Sequence, residues 1–163
     1  GQCERGAQVL GKEITYTRIS RPNIGDIVVS GMGAVYRAIA VIPKGMEDLL
    51  VSHEYTILRL KKSVKADPMY LWTVLRSAAI VAEWLSDASG LARHRVGWET
   101  LKDQIIPLLP FTQQKRIGDL YRLAIACETK RINCVRKAGN ALESLDLESS
   151  SAKDKLERAK PPK

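Results

Sequence analysis

Cysteine is scarce in this sequence, and its scarcity is informative. Three cysteines among 163 residues, an odd number with no CxxC pair, argue against a disulfide framework and against a zinc site. Cys127 and Cys134 lie seven apart on a predicted helix, roughly 10 Å along its axis, so they cannot bridge each other. Long hydrophobic runs are missing as well. No run approaches the roughly 20 apolar residues that a membrane-spanning helix needs, and no charged-then-apolar leader opens the chain. A reducing, cytoplasmic setting without a membrane is the expectation. The GxxxxGK[ST] loop that cradles nucleotide phosphates is absent too, and no cofactor is expected.

What is present fits one ordinary domain plus an appendage, long enough to bury a real core. The apolar share of 45% and the charged share of 27% are those of a soluble globular protein. Acidic residues are outnumbered 18 to 26, for a net charge of +8, which favours an anionic partner without identifying it. The residues through Phe111 hold 14 basic and 11 acidic side chains, and the remainder holds 12 and 7. Such a balance suits a nucleic-acid binder, a ribosome-associated protein or a solubilised surface.

Residues 1–23 are weakly patterned: Gly1, Gly6 and Gly11 break helices, and Ile14, Thr15, Tyr16 and Thr17 suit a short edge strand. From Ile24 the signal sharpens. Gly25-Asp26 reads as a turn, Ile27-Val28-Val29 as a strand, and residues 38–42 as another strand closed by Pro43 and Gly45. The glycine-rich connection between them, with Gly31 and Gly33, is a hairpin link whose Tyr36 and Arg37 could reach a nucleic acid. Residues 54–60 form a third strand. The cluster Lys61, Lys62 and Lys65 then reads as a solvated strand end or as contacts to phosphates, which lysine neutralises without reading sequence.

Asp67-Pro68-Met69-Tyr70 resembles the D-P-P-Y tetrad of amino-methyltransferases, which in those enzymes binds the amino group that is methylated. Here Met69 replaces the second proline, and no glycine-rich F-x-G-x-G cofactor loop accompanies it. A helix start explains the same residues: Asp67 as N-cap and Pro68 at the first helical position. One helix is predicted over residues 70–85, with a core-facing stripe of Leu71, Trp72, Leu75, Ala78, Ala79, Ala82 and Leu85 and with Trp84 on its flank.

The loop Gly90-Leu91-Ala92-Arg93-His94-Arg95 is the strongest candidate site in the body. In an extended segment Arg93 and Arg95 share one face, which suits two guanidinium forks on phosphates or on a guanine edge. Surface ion pairs are the plainer role for the same arginines. A short helix over 99–104 leads into Ile105-Ile106-Pro107-Leu108-Leu109-Pro110, where two prolines confine the run to an edge strand or an extended wrap and the apolar content predicts burial. Thr112 is the expected N-cap of a long helix over residues 113–147. Ile117, Leu120, Ala124, Cys127, Cys134, Ala138, Ala141 and Leu145 repeat there in threes and fours. Such a seam needs a partner helix or the protein's own body. Residues from 149 onward read as a disordered polar tail.

The segment from Gly90 to Ile117 resembles the junction in specificity (S) subunits of type I restriction–modification systems. In that family a target-recognition domain ends in I-P-L-P-P-L-x-E-Q-x-x-I and runs into a helix. Ile106-Pro107-Leu108-Leu109-Pro110 and Gln113-Gln114 through Ile117 follow this pattern, with Leu109 in the place of the second proline and Gln113 in that of the acid. The resemblance extends more loosely over residues 24–145. It implies an α/β (α+β) fold, a small mixed sheet with packed helices followed by a long C-terminal helix that pairs as a coiled coil. It further implies a target-recognition-like domain over 1–111, a helical dimerisation and spacer arm over 112–148, and a tail over 149–163.

The function so implied is non-catalytic recognition of a specific double-stranded DNA site for a DNA methyltransferase complex. The partners would be double-stranded DNA, a methyltransferase subunit, and a second copy or second half-subunit along the long helix. Arg93, His94, Arg95, Tyr36, Arg37, Lys61 and Lys62 are the candidate DNA contacts, and Ile117, Leu120, Ala124, Cys127, Cys134 and Ala138 the helix-pairing residues. The alternatives are the C-terminal recognition part of an adenine-N6 DNA methyltransferase, or a helical assembly module that binds no DNA.

Overall fold

The computed structural model describes residues 13, 15–16, 18–86 and 95–158, with residues 146–158 by backbone alone. The elements run β1 (Ile19–Ser20), β2 (Ile27–Ser30), β3 (Ile39–Val41), β4 (Val51–Ser52), β5 (Tyr55–Leu58), α1 (Pro68–Leu75), α2 (Ala78–Ser86), α3 (Trp98–Lys102) and α4 (Phe111–Arg158). The α/β class expected from the sequence is present. The sheets are antiparallel rather than mixed: β1 pairs with β4, and β2 lies between β3 and β5. The chain divides into two compact units between Arg122 and Leu123.

In the first unit, β2 is the centre of the core. Ile27, Val28 and Val29 are all buried. Because successive side chains on a strand point to opposite faces, three buried neighbours in a row require cover on both faces. The turn that leads into β2 places Gly25 at φ +84°, in the left-handed region, and Gly25 donates its N–H to the Ile42 carbonyl at 2.9 Å. Thr15 and Tyr16 are not in a strand; the strand forms instead at Ile19 and Ser20, which find a partner in Ser52 and Val51.

Helix α1 starts as its sequence dictates. The Asp67 carboxylate accepts the N–H groups of Met69 and Tyr70 at 2.9 and 3.0 Å, and Pro68 needs no acceptor. The indole of Trp72 donates to the Ile39 carbonyl at 2.8 Å, which docks α1 on β3. The single helix predicted over 70–85 is broken at Arg76 and Ser77. Ser77 restarts the helix, its carbonyl accepting the Val81 N–H at 3.1 Å. The break rotates the second half, so Ile80, Val81 and Trp84 are buried while Ala78, Ala79, Ala82 and Leu85 are exposed. Trp84 is therefore core rather than flank, and its indole donates to Gln104 Oε1 at 2.6 Å.

Three expectations downstream need correction. The run 105–110 is extended but largely open to solvent, with Ile105 84% and Leu108 59% exposed. It is held through backbone carbonyls instead of apolar side chains: Tyr70 donates its hydroxyl to the Pro107 carbonyl and Gln114 its Nε2 to that of Leu109, both at 2.6 Å. Helix α4 begins at Phe111, so Thr112 lies inside its first turn instead of capping it. The helix also continues to Arg158 through the segment expected to be a disordered tail. Residues 149–158 contain neither glycine nor proline, and the next breakers are Pro161 and Pro162. Among the described residues, no helix is long and apolar enough to cross a membrane.

Candidate nucleic-acid interface

Arg37 and Tyr36 sit on the connection between β2 and β3. Ser30 Oγ accepts the Gly33 N–H at 3.1 Å, and a 3-10 turn over Ala34–Tyr36 follows, anchored by the fully buried Ala34. The turn leaves Tyr36 85% exposed. It delivers Arg37 into left-handed backbone, φ 64° and ψ 28°, a conformation that costs a side-chain-bearing residue about 1–2 kcal/mol.

Gly31 brings the segment of Arg95 to the same end of the sheet. Its N–H donates to the Glu54 carbonyl at 2.8 Å, and its own carbonyl accepts the Val96 N–H at 2.9 Å. A Cβ at this position would stand 2.9 Å from the Glu54 carbonyl oxygen, so only glycine permits the approach. Arg95 is exposed and pairs with the Glu54 carboxylate at 2.9 Å. The Arg95 side chain is 61% exposed and that of Glu54 21%, so the cation of this pair is the partner that faces solvent. Arg93 and His94 lie outside the described residues.

Lys61 and Lys62 are exposed but belong elsewhere. Ser30 pairs with Tyr55 at one end of β5 and Ile27 with Leu58 at the other, and the lysines follow the Leu58 end. The proposed DNA contacts are thus divided between two ends of one sheet. At the lysine end, Arg59 grips the buried Asp26, with Nη2 2.7 Å from Oδ2 and Nε 3.0 Å from Oδ1. Burial pushes the Asp26 carboxyl up, but the Arg59 guanidinium and the Asn23 N–H outweigh it and hold the pKa below the ordinary carboxylate value.

A depressed folded pKa adds stability above the unfolded value, and that stability is lost as pH falls through the folded one. Acid titration of the melting temperature is expected to show this loss below about pH 4, and Asp26→Asn should remove that component of the acid limb. An identical acid limb in the variant would show that the pair contributes nothing.

Two further polar centres left little trace in the sequence. One joins Asp67 to the start of α4. Gln114, 3% exposed, accepts the Asp67 N–H at 3.1 Å, and Arg122 Nη2 donates to both carboxylate oxygens of Asp67 at 2.9 and 2.7 Å. Gln114 sits at the glutamine of the junction pattern, and that position was its signal. The other centre is Arg76, whose guanidinium lies 4.3 Å from the centre of the Trp72 ring. Only the four-residue Trp–Arg spacing on a helix hinted at it.

The pairing candidates differ by unit. Ile117 is half-buried in the first unit, where Leu120 is 62% exposed; in the second, Ala124, Cys127, Cys134 and Ala138 are all exposed. Leu123, Val135, Leu142 and Leu145 are exposed on the same helix.

No protein-family model and no curated protein matches this sequence. Among solved structures, the chain is similar to one in a structure that addresses complex assembly and conformational transition of the type I R-M system. The two superpose with a TM-score of 0.58 at 20% identity, over 91% of this chain and 37% of the other. The likeness is one of fold, and this chain spans little more than a third of that chain's length.

Proposed function

We propose that this chain is a non-catalytic DNA-recognition module of a restriction–modification complex, akin to part of a type I specificity subunit. The observation that carries the reading is the shared fold with a chain of a type I R-M system over nine-tenths of the sequence. The junction residues Pro107, Pro110, Gln114 and Ile117 support it, as do the net charge of +8 and the exposed basic groups at both ends of the sheet. In this reading lysines and arginines anchor phosphates, loop side chains read base edges, and the helical seam of α4 binds a partner helix. A methyltransferase subunit would supply the chemistry.

Selection from a random duplex pool, with and without a methyltransferase subunit, tests it. Enrichment of one sequence is the expected result. Recovery of no duplex above background at about 50 mM salt, where phosphate contacts are strongest, would instead favour an assembly module. The exposed apolar residues of α4 are compatible with that second reading.

A further inference from the structure

Arg76 carries a cation in a setting that leaves it unmatched. It sits half-buried at the corner between α1 and α2. Its Nε is sealed from solvent without a hydrogen-bond partner, and no carboxylate pairs with it among the described residues. The guanidinium is nevertheless fixed in place. It stacks on Trp72, whose indole is itself pinned to the Ile39 carbonyl and packed edge-on against Tyr121, with ring centres 5.5 Å apart. Stacking on a ring face uses none of a guanidinium's in-plane N–H donors.

A second cation stands near the first. The 3-10 turn that ends at Tyr36 packs against α2, and Arg37 follows it in left-handed backbone. Burial pulls the Arg76 pKa down, the charge of Arg37 lowers it further, and Tyr121 acts in the opposite sense. The backbone brings the two segments together: Arg76 stacks on Trp72, the Trp72 indole binds the Ile39 carbonyl, and Ile39 donates its N–H to the Arg37 carbonyl at 2.9 Å. Among the described residues no carboxylate pairs with either arginine. An anion held by both guanidinium groups would offset their mutual repulsion and supply the acceptor that Arg76 lacks.

We propose that Arg37 and Arg76 form a binding site for a phosphate-class oxyanion, with the Trp72 ring holding the Arg76 guanidinium in place. The anion is either free phosphate or a phosphate of a nucleic-acid backbone. This deepens the duplex reading in the second case and is independent of it in the first.

The test follows the Arg76 Nε–H signal by NMR in the full chain, during titration with inorganic phosphate, with chloride at matched ionic strength, and with a duplex of arbitrary sequence. Phosphate is expected to shift the signal where chloride does not, and Arg37→Gly and Arg76→Gln are each expected to weaken binding about tenfold. Arg37→Gly also relieves the backbone, so its melting temperature should stay level or rise while binding falls, which a purely structural role would not produce. A shift with phosphate alone assigns the free anion, and a shift with duplex that phosphate reverses assigns the backbone; both support the site.

Equal shifts with chloride and phosphate, or variants that bind both probes as the wild type does, would overturn it. Should those variants leave a salt-dependent duplex affinity unchanged, the site fails and the duplex reading stands. Should phosphate bind and duplex not, the site stands and the duplex reading fails.

Discussion

Replacing Gly118 by alanine is expected to lower the melting temperature, although alanine is the better helix former by about 1 kcal/mol. A Cβ on Gly118 would collide with Asp67 Oδ1 and stand 2.9 Å from its Cγ. The carboxylate cannot step aside cheaply, because Oδ1 caps the N–H groups of Met69 and Tyr70 and both oxygens hold Arg122. Overpacking costs about 1–3 kcal/mol and a lost cap about 1 kcal/mol, so a net loss of about 1–3 kcal/mol follows. For a chain of this size each kcal/mol lost shifts the melting point by about 2–4 °C.

Two further variants separate the causes. In an Asp67→Ala background the obstacle is gone, and Gly118→Ala should become stabilising, a reversal of sign in the double-mutant cycle. A Cβ on Gly139 would meet nothing within 4 Å, so Gly139→Ala should raise stability by about 1 kcal/mol. Thermal denaturation of these variants beside the wild type decides the matter. A Gly118→Ala protein that melts at or above the wild type would show that Asp67 is not held as described.

The second large effect concerns duplex binding. Each phosphate neutralised contributes about 0.9 to the slope of log affinity against log salt, so Lys61→Ala, Lys62→Ala, Arg93→Ala and Arg95→Ala together should flatten that slope by about 3.6. The fall in affinity between about 50 and 200 mM salt should shrink by roughly a hundredfold. Glu54→Gln is expected to act oppositely, because it releases Arg95 from its 2.9 Å ion pair. Fluorescence anisotropy over a salt series reads both changes. An unaltered slope in the quadruple variant would remove these residues from the interface.

The parts of the fold that were legible share a local cause. The cap at Asp67-Pro68 is written in the residues that satisfy the first N–H groups of a helix. The β-branched run Ile27-Val28-Val29 announces a buried strand, and the proline-free stretch after Phe111 announces a long helix. The break at Arg76-Ser77 was not legible, since neither residue is a helix breaker and the periodicity runs on through them. Its consequence, the burial of Trp84 in place of Leu85, therefore escaped the stripe. The apolar residues 105–110 misled in the other direction, because Tyr70 and Gln114 hold that segment by its carbonyls.

The candidate site divides along the same line. Tyr36, Arg37, Arg95 and the Lys61-Lys62 pair were marked by residue type and loop context, whereas Arg76 was hidden inside an apolar stripe. Nothing local says that Gly31 draws the Arg95 segment to the β2–β3 end or that the lysines go to the opposite end. By itself the sequence determined the central strand at Ile27-Val28-Val29, the start of α1, the long helix after Phe111, and that basic groups outnumber acidic ones, because these depend on neighbours along the chain. The tertiary structure alone decided which cations meet, which are neutralised and which stay unmatched. Those outcomes depend on strand register and helix phase, which are set by contacts between residues far apart in sequence.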